Sequence, residues 1–163
     1  MIDAMDPRWS SMVELDLTSY QPKPFTFEHL ENLSIAWSQL LPANLEQSGA
    51  LTLLKTSRNL FKYSWFDYDF MVIACLVSIQ ALEVAFYDAN PNISKRKFFS
   101  TAIKSAVASG DLDAQDAEIM EAGRRLRNSL SHPKTQSSFS IGMATPVIER
   151  SHMLVAKLLS TKN

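Results

Sequence analysis

Phe66-Asp67-Tyr68-Asp69-Phe70-Met71-Val72-Ile73-Ala74-Cys75-Leu76-Val77-Ser78-Ile79-Gln80-Ala81-Leu82-Glu83-Val84-Ala85-Phe86-Tyr87-Asp88-Ala89 is the stretch that decides the fold. It contains neither glycine nor proline and is too long for a strand. Between Phe70 and Leu82, apolar side chains occupy almost the whole circumference of a helix. A helix that is apolar on every side must be covered on every side, so this one is central and the rest of the chain is its cover. Glu83 and Asp88 make its second half more polar, and Asn90-Pro91-Asn92 stops it. Asp67 or Asp69 is placed to cap its start. Its strongly apolar part, Phe70 to Leu82, is short of the roughly twenty residues that cross a bilayer. A core helix is expected, with no membrane span.

The flanking sequence supplies the cover. A helical rhythm runs over 26–41, capped by Thr26 and ended by Pro42, with Leu30, Leu33, Ile35, Trp37, Leu40 and Leu41 as apolar positions. A second helix is read over 44–63, although Gly49 weakens its first turn. After the central helix, Ser94 opens a helix that ends at Gly110, and Asp113 opens another over 113–131. Residues 134–142 are small and polar, a loop. The last helix is read over 145–160, with Val147, Ile148, Met153, Leu154, Val155, Leu158 and Leu159 as its apolar residues. Few stretches alternate between apolar and polar, and four glycines are few for an all-β chain. The expected fold is all-α: an antiparallel up-and-down bundle of five to six helices. Residues 44–163 form the bundle, and residues 1–43 form an N-terminal extension with one helix. The first 26 residues hold Pro7, Pro22 and Pro24 and no sustained period, so they read as a loosely structured arm, with Trp9, Met12 and Leu15 as its candidate packing residues.

Composition narrows the function. A net charge of −1 argues against a protein that coats nucleic acid indiscriminately. The charge is uneven, however. Residues 1–46 hold seven acidic side chains against two basic ones, whereas 91–110 hold Lys95, Arg96, Lys97 and Lys104 and no acid. Cys75 is the only cysteine, which leaves no intramolecular disulfide and no cysteine-based zinc site. The start of the chain has no basic-then-apolar leader pattern, and a cytoplasmic location is expected.

The chemistry is concentrated in Arg124-Arg125-Leu126-Arg127-Asn128-Ser129-Leu130-Ser131-His132-Pro133. Pro133 disfavours helical geometry for the residue before it, so His132 sits where the helix runs out and Arg127 and Asn128 lie on its last turn. A guanidinium fixes phosphate oxygens through a rigid fork, and an imidazole exchanges protons near neutral pH. In RNA the 2′-hydroxyl is a nucleophile already next to the phosphorus. A histidine can take its proton or give one to the leaving 5′-oxygen, and an arginine can stabilise the charge on the phosphate. Each residue also has a plainer role. His132 suits the carbonyl end of a helix, and Arg127 can pair with Glu121 or another surface acid.

Arg127, Asn128 and His132, at the end of a late helix in a small all-helical chain with one more helix after it, resemble the HEPN superfamily of RNases and RNA-binding modules. The resemblance covers roughly residues 44–160. It implies metal-independent endoribonuclease chemistry leaving a 2′,3′-cyclic phosphate, with no cofactor and no metal. It assigns catalysis to Arg127 and His132, with Asn128 in support. It also implies a homodimer whose two motifs face each other in a composite site, and RNA as partner. Such proteins often act as toxins or in phage defence, with an antitoxin or neighbouring regulatory protein. The toxin subgroup silenced by nucleotidylation has a tyrosine two residues after the histidine. Here that residue is Lys134, so a partner nucleotidyltransferase is not implied. The alternative is a catalytically inactive module of the same kind that binds RNA, a nucleotide or a protein.

Other residues carry less. Glu83 can orient Arg127 or His132 from the central helix, or mark where that helix meets solvent. His29 and His152 have no acidic or cysteine partner at ligand spacing and read as surface or capping residues. Cys75 reads as a small core residue. Trp65, Phe66, Tyr68 and Phe70 read as core packing at a helix junction rather than as a platform for bases.

Overall fold

The computed structural model describes residues 5–16, 21–95, 98–130 and 139–160, with the side chains of 14–16 left aside. It is an all-α bundle. We number its helices α1 (Phe27–Gln39), α2 (Gly49–Tyr63), α3 (Phe70–Ala89), α4 (Phe99–Ser109), α5 (Ala114–Leu130) and α6 (Ile141–Ser160).

α3 is the expected central helix. At 20 residues it is longer than its strongly apolar part, and by length and composition alone it could cross a bilayer. Its surroundings are those of a core helix, because 61% of its most apolar window is buried in the bundle. Ala74, Ala81 and Ala85 are fully buried on it, as are Ala50, Leu54 and Ser57 on α2. Small residues let the two helices approach closely, and Ser57 Oγ donates across them to Ala74 O at 2.7 Å. Two apolar clusters lie along α3. One joins Leu82, Ala85 and Phe86 to Leu54, Phe99, Ile103, Met120 and Leu154. The other joins Met71, Ala74 and Cys75 to Trp9, Leu30, Trp37, Phe61, Leu130 and Ile148. α2 and α5 therefore run against α3, and α6 runs with it. α4 covers one end of this four-helix core; α1 and the N-terminal segment cover the other.

Local chemistry sets the helix ends. Thr26 Oγ1 accepts from His29 N at 3.1 Å and starts α1. Gly110, with φ at +81°, ends α4 as expected for a residue without a Cβ, and Asp111 N reaches back to Ala106 O at 2.9 Å. Asp113 Oδ1 accepts from Asp116 N and starts α5. Lys157 on α6 then bridges Asp113 and Asp116, both at 2.7 Å, which holds the Asp113 carboxyl down at about 2. Three starts differ from expectation. α2 begins at Gly49 because Ser48 caps Leu51 N at 3.3 Å, so Gly49 opens the helix rather than interrupting it. α4 begins at Phe99 rather than 94, after a turn in which Ile93 N bonds Asn90 O. α6 begins at Ile141, and Pro146 lies inside it, where its fixed φ is helical and only one backbone bond is lost. Neither aspartate expected to cap α3 bonds its first turn. Asp69 is the cap residue, but its carboxylate is taken by Arg8 at 2.6 Å.

The described part of the N-terminal arm is anchored on the bundle, with Trp9 and Met12 packed as expected. Asp6 starts a 3₁₀ turn over Pro7–Ser11, and Val13–Asp16 (β1) pairs antiparallel with Gln21–Pro24 (β2) in a short ribbon. Trp9 is 1% exposed, sits among Phe25, Trp65 and Tyr68, and donates from Nε1 to Ser64 O at 2.7 Å. Asp6 accepts from Tyr68 N at 2.9 Å, and Arg8 lies over the Tyr68 ring while pairing with Asp6 and Asp69. The arm thus locks the α2–α3 junction, which explains the aromatic residues there. Trp9, Leu30 and Trp37 share one apolar cluster with Met71 and Ile148, so residues on both sides of position 43 build the same core.

His152 is fully buried, which corrects its reading as a surface or capping residue. Nδ1 lies 2.8 Å from Ile148 O and Nε2 lies 2.9 Å from Arg58 Nη1. The carbonyl can only accept and the guanidinium can only donate, so the neutral imidazole with its proton on Nδ1 satisfies both. Burial, with the adjacent Arg58 charge, lowers its pKa to about 4. Cys75 is buried as expected, and burial pushes its thiol far above the ordinary range.

Two stability measurements follow from this packing. Trp9→Ala removes a buried indole and its hydrogen bond, and urea denaturation is expected to read a loss of about 3 to 5 kcal/mol. Because the His152 pKa is lower in the folded chain, the unfolded chain takes up that proton first as pH falls. The stabilisation is complete above pH 6.5 and declines as pH falls through about 4. Urea midpoints should therefore report roughly 2 kcal/mol less stability near pH 5 than near pH 7.5, with the imidazole remaining neutral by NMR.

Candidate functional site

α5 ends in the motif. Its interior lacks proline, its Asp113 cap fixes where it begins, and Leu126 and Leu130 anchor its last turns in the apolar cluster around Cys75. Arg127 and Asn128 lie on the final turn, as expected. Asn128 is exposed, and His132 lies outside the described residues.

Arg127 is joined to Glu83. Its Nη1 donates to Glu83 Oε2, with the two side chains 31% and 26% exposed. The pairing follows from helix geometry. Side chains lean toward the N-terminus of their own helix, so on antiparallel helices two long ones lean toward each other. α5 crosses α3 where Gly123 faces Ile79, and Arg127 and Glu83 lie one turn beyond these residues on their helices. Glu83 is therefore neither a residue simply emerging into solvent nor an isolated buried charge. Glu121, the other partner considered for Arg127, belongs instead to Arg124, which bonds it through Nε at 3.0 Å and Nη2 at 2.5 Å. That contact holds the Glu121 carboxyl below its usual range. Of the basic residues expected to form a local positive surface, Lys95 is 3.6 Å from Asp88, and Arg96, Lys97 and Lys134 lie outside the described residues.

A second feature was not legible in the sequence. α5 and α6 both rest on α3 but part above Ile79 and Leu82, leaving a groove of about 500 Å³. Arg125 and Arg150 stand on its two sides. Arg125 belongs to the same cationic run as Arg124 and Arg127, yet makes no hydrogen bond or ion pair among the described residues. On α6, Met153 is 55% exposed rather than in the core, and Met143, Pro146, Arg150 and Met153 form one outward stripe at helical spacing. Of that stripe, Pro146 and Arg150 line the groove. Comparison with protein-family models, curated proteins and solved structures finds no match to this chain.

A double-mutant cycle measures how firmly Arg127 is held. Glu83→Gln, Arg127→Gln and the double variant should give a coupling of about 0.2 to 1 kcal/mol in urea denaturation, because both side chains are partly solvated. A coupling indistinguishable from zero would remove Glu83 as an orienting residue.

Proposed function

We propose that this chain is a HEPN-like protein that cleaves RNA without a metal, through a site built at the end of α5. The observation that carries this reading is the guanidinium of Arg127, oriented by Glu83 from the central helix beside the exposed Asn128. An oriented fork is what recognition of a phosphate requires, since rotamer freedom lost in advance is not lost again on binding.

In the proposed step the 2′-oxygen attacks phosphorus while His132 of one copy takes the 2′-hydroxyl proton. The bond from phosphorus to the 5′-oxygen breaks, and His132 of a second copy gives that oxygen a proton. The products are a 2′,3′-cyclic phosphate and a 5′-hydroxyl, so atoms and charge balance. Arg127 stabilises the phosphate oxygens as charge gathers on them, and Asn128 supports the phosphate or the histidine. One histidine per motif makes a homodimer with a composite site the working unit. The setting we assign is cytoplasmic, in a toxin–antitoxin or phage-defence system, with an antitoxin or neighbouring protein as restraint.

The second reading is a module that binds RNA, a nucleotide or a protein without turnover. The Arg124–Glu121 pair favours its protein-binding form, because a guanidinium held by its own helix is taken from any phosphate track.

Purified protein incubated with mixed RNA in EDTA, followed by end-group analysis, separates the two. Cleavage leaving cyclic-phosphate ends is expected, with loss of at least about a hundredfold in Arg127→Ala and His132→Ala. RNA binding without cleavage by a folded dimer selects the second reading. Absence of both RNA binding and cleavage overturns the first reading and the RNA-binding form of the second.

A further inference from the structure

The groove between α5 and α6 has a chemistry of its own, and Arg127 is not among its described lining residues. Ile79 and Leu82 of α3 form its floor, each 2% exposed as a residue, and Leu126 and Val147 line its sides. Its volume of about 500 Å³ is within the range of small-molecule sites. Arg125 on the α5 side and Arg150 on the α6 side are both exposed, and neither has a hydrogen-bond or ion-pair partner among the described residues. Arg8, Arg124 and Arg127, by contrast, are each held by a carboxylate. Glu118 is the one acid among the described lining residues, which set two cations against one anion.

We propose that this groove binds a small amphipathic monoanion: an apolar body lying against the half-buried Ile119, Leu126 and Val147, with one carboxylate or sulfate head between Arg125 and Arg150. Length favours a small ligand over a docked helix. The lining on α5 runs only from Glu118 to Leu126, about 12 Å of helix at a rise of about 1.5 Å per residue. Charge decides between the remaining small ligands. A neutral apolar molecule makes no use of the two guanidiniums, whereas a polyanion without an apolar body leaves the half-buried Ile119, Leu126 and Val147 uncovered. An amphipathic monoanion satisfies both at once.

Octanoate and octanol, which share a chain length and differ in charge, test this by NMR titration of the full ¹⁵N-labelled chain. Octanoate should shift amides around Ile79, Ala122, Gly123 and Ser151 saturably and bind roughly tenfold more tightly than octanol. The double variant Arg125→Gln/Arg150→Gln, altered only at exposed positions, should bind the two equally. Ala122→Trp, which projects an indole from an exposed position into the groove, should abolish both. Octyl sulfate should behave as octanoate does, which would establish that the head is read as an anion. Equal binding of octanoate and octanol by the unaltered chain overturns the proposal, as does an octanoate preference that survives the double variant. Amides of the groove that move with protein concentration and not with octanoate also overturn it, and make this face an interface between copies.

Discussion

The structure depends on covering α3. A 20-residue helix with buried residues around most of its circumference is stable in water only if other elements exclude solvent from nearly every side. α2 does so through a small-residue seam close enough for Ser57 to bond the Ala74 carbonyl. α5 and α6 take the opposing faces, and Trp9 is brought in from a distant part of the chain to close the end near Tyr68. Each polar feature of interest is a by-product of that cover. Glu83 meets Arg127 because α5 crosses α3, and His152 meets Arg58 because α6 must lie against α2.

This explains what was legible in the sequence. Circumference and length identified the central helix, and local capping chemistry fixed Thr26, Gly110 and Asp113 as boundaries. Those are near-neighbour effects, written within a few residues. The misreadings came from partners far apart. Trp9 bonds Ser64 across 55 positions, and Arg58 reaches His152 across 94. No local period marks either pair, so an anchored arm looked loose and a buried imidazole looked superficial. The Arg127–Glu83 pair lies between these cases. The sequence placed both residues near the right ends of their helices, but only the crossing of α3 and α5 chooses Glu83 over Glu121.

The electrostatic pattern separates the two sites. Along α5, Arg124 forms an ion pair within its own helix, Arg127 forms one with the central helix, and Arg125 forms neither among the described residues. Three arginines within four residues therefore have three different environments. Only the rotation of about 100° per residue around the helix distinguishes them. A basic run read as a single patch would miss that one member faces a groove with an apolar floor and another faces a carboxylate.

The two apolar clusters along α3 have a consequence for how the molecule comes apart. Each end has its own cover, α4 at one and the N-terminal segment with α1 at the other, so either cover can detach while the opposite cluster stays closed. The groove between α5 and α6 lies at the join, touching Leu82 and Ile119 from one cluster and Leu126 and Val147 from the other. A molecule seated there would span two cooperative units and tie their opening together. Occupancy at the middle of the bundle would then be felt at both of its ends.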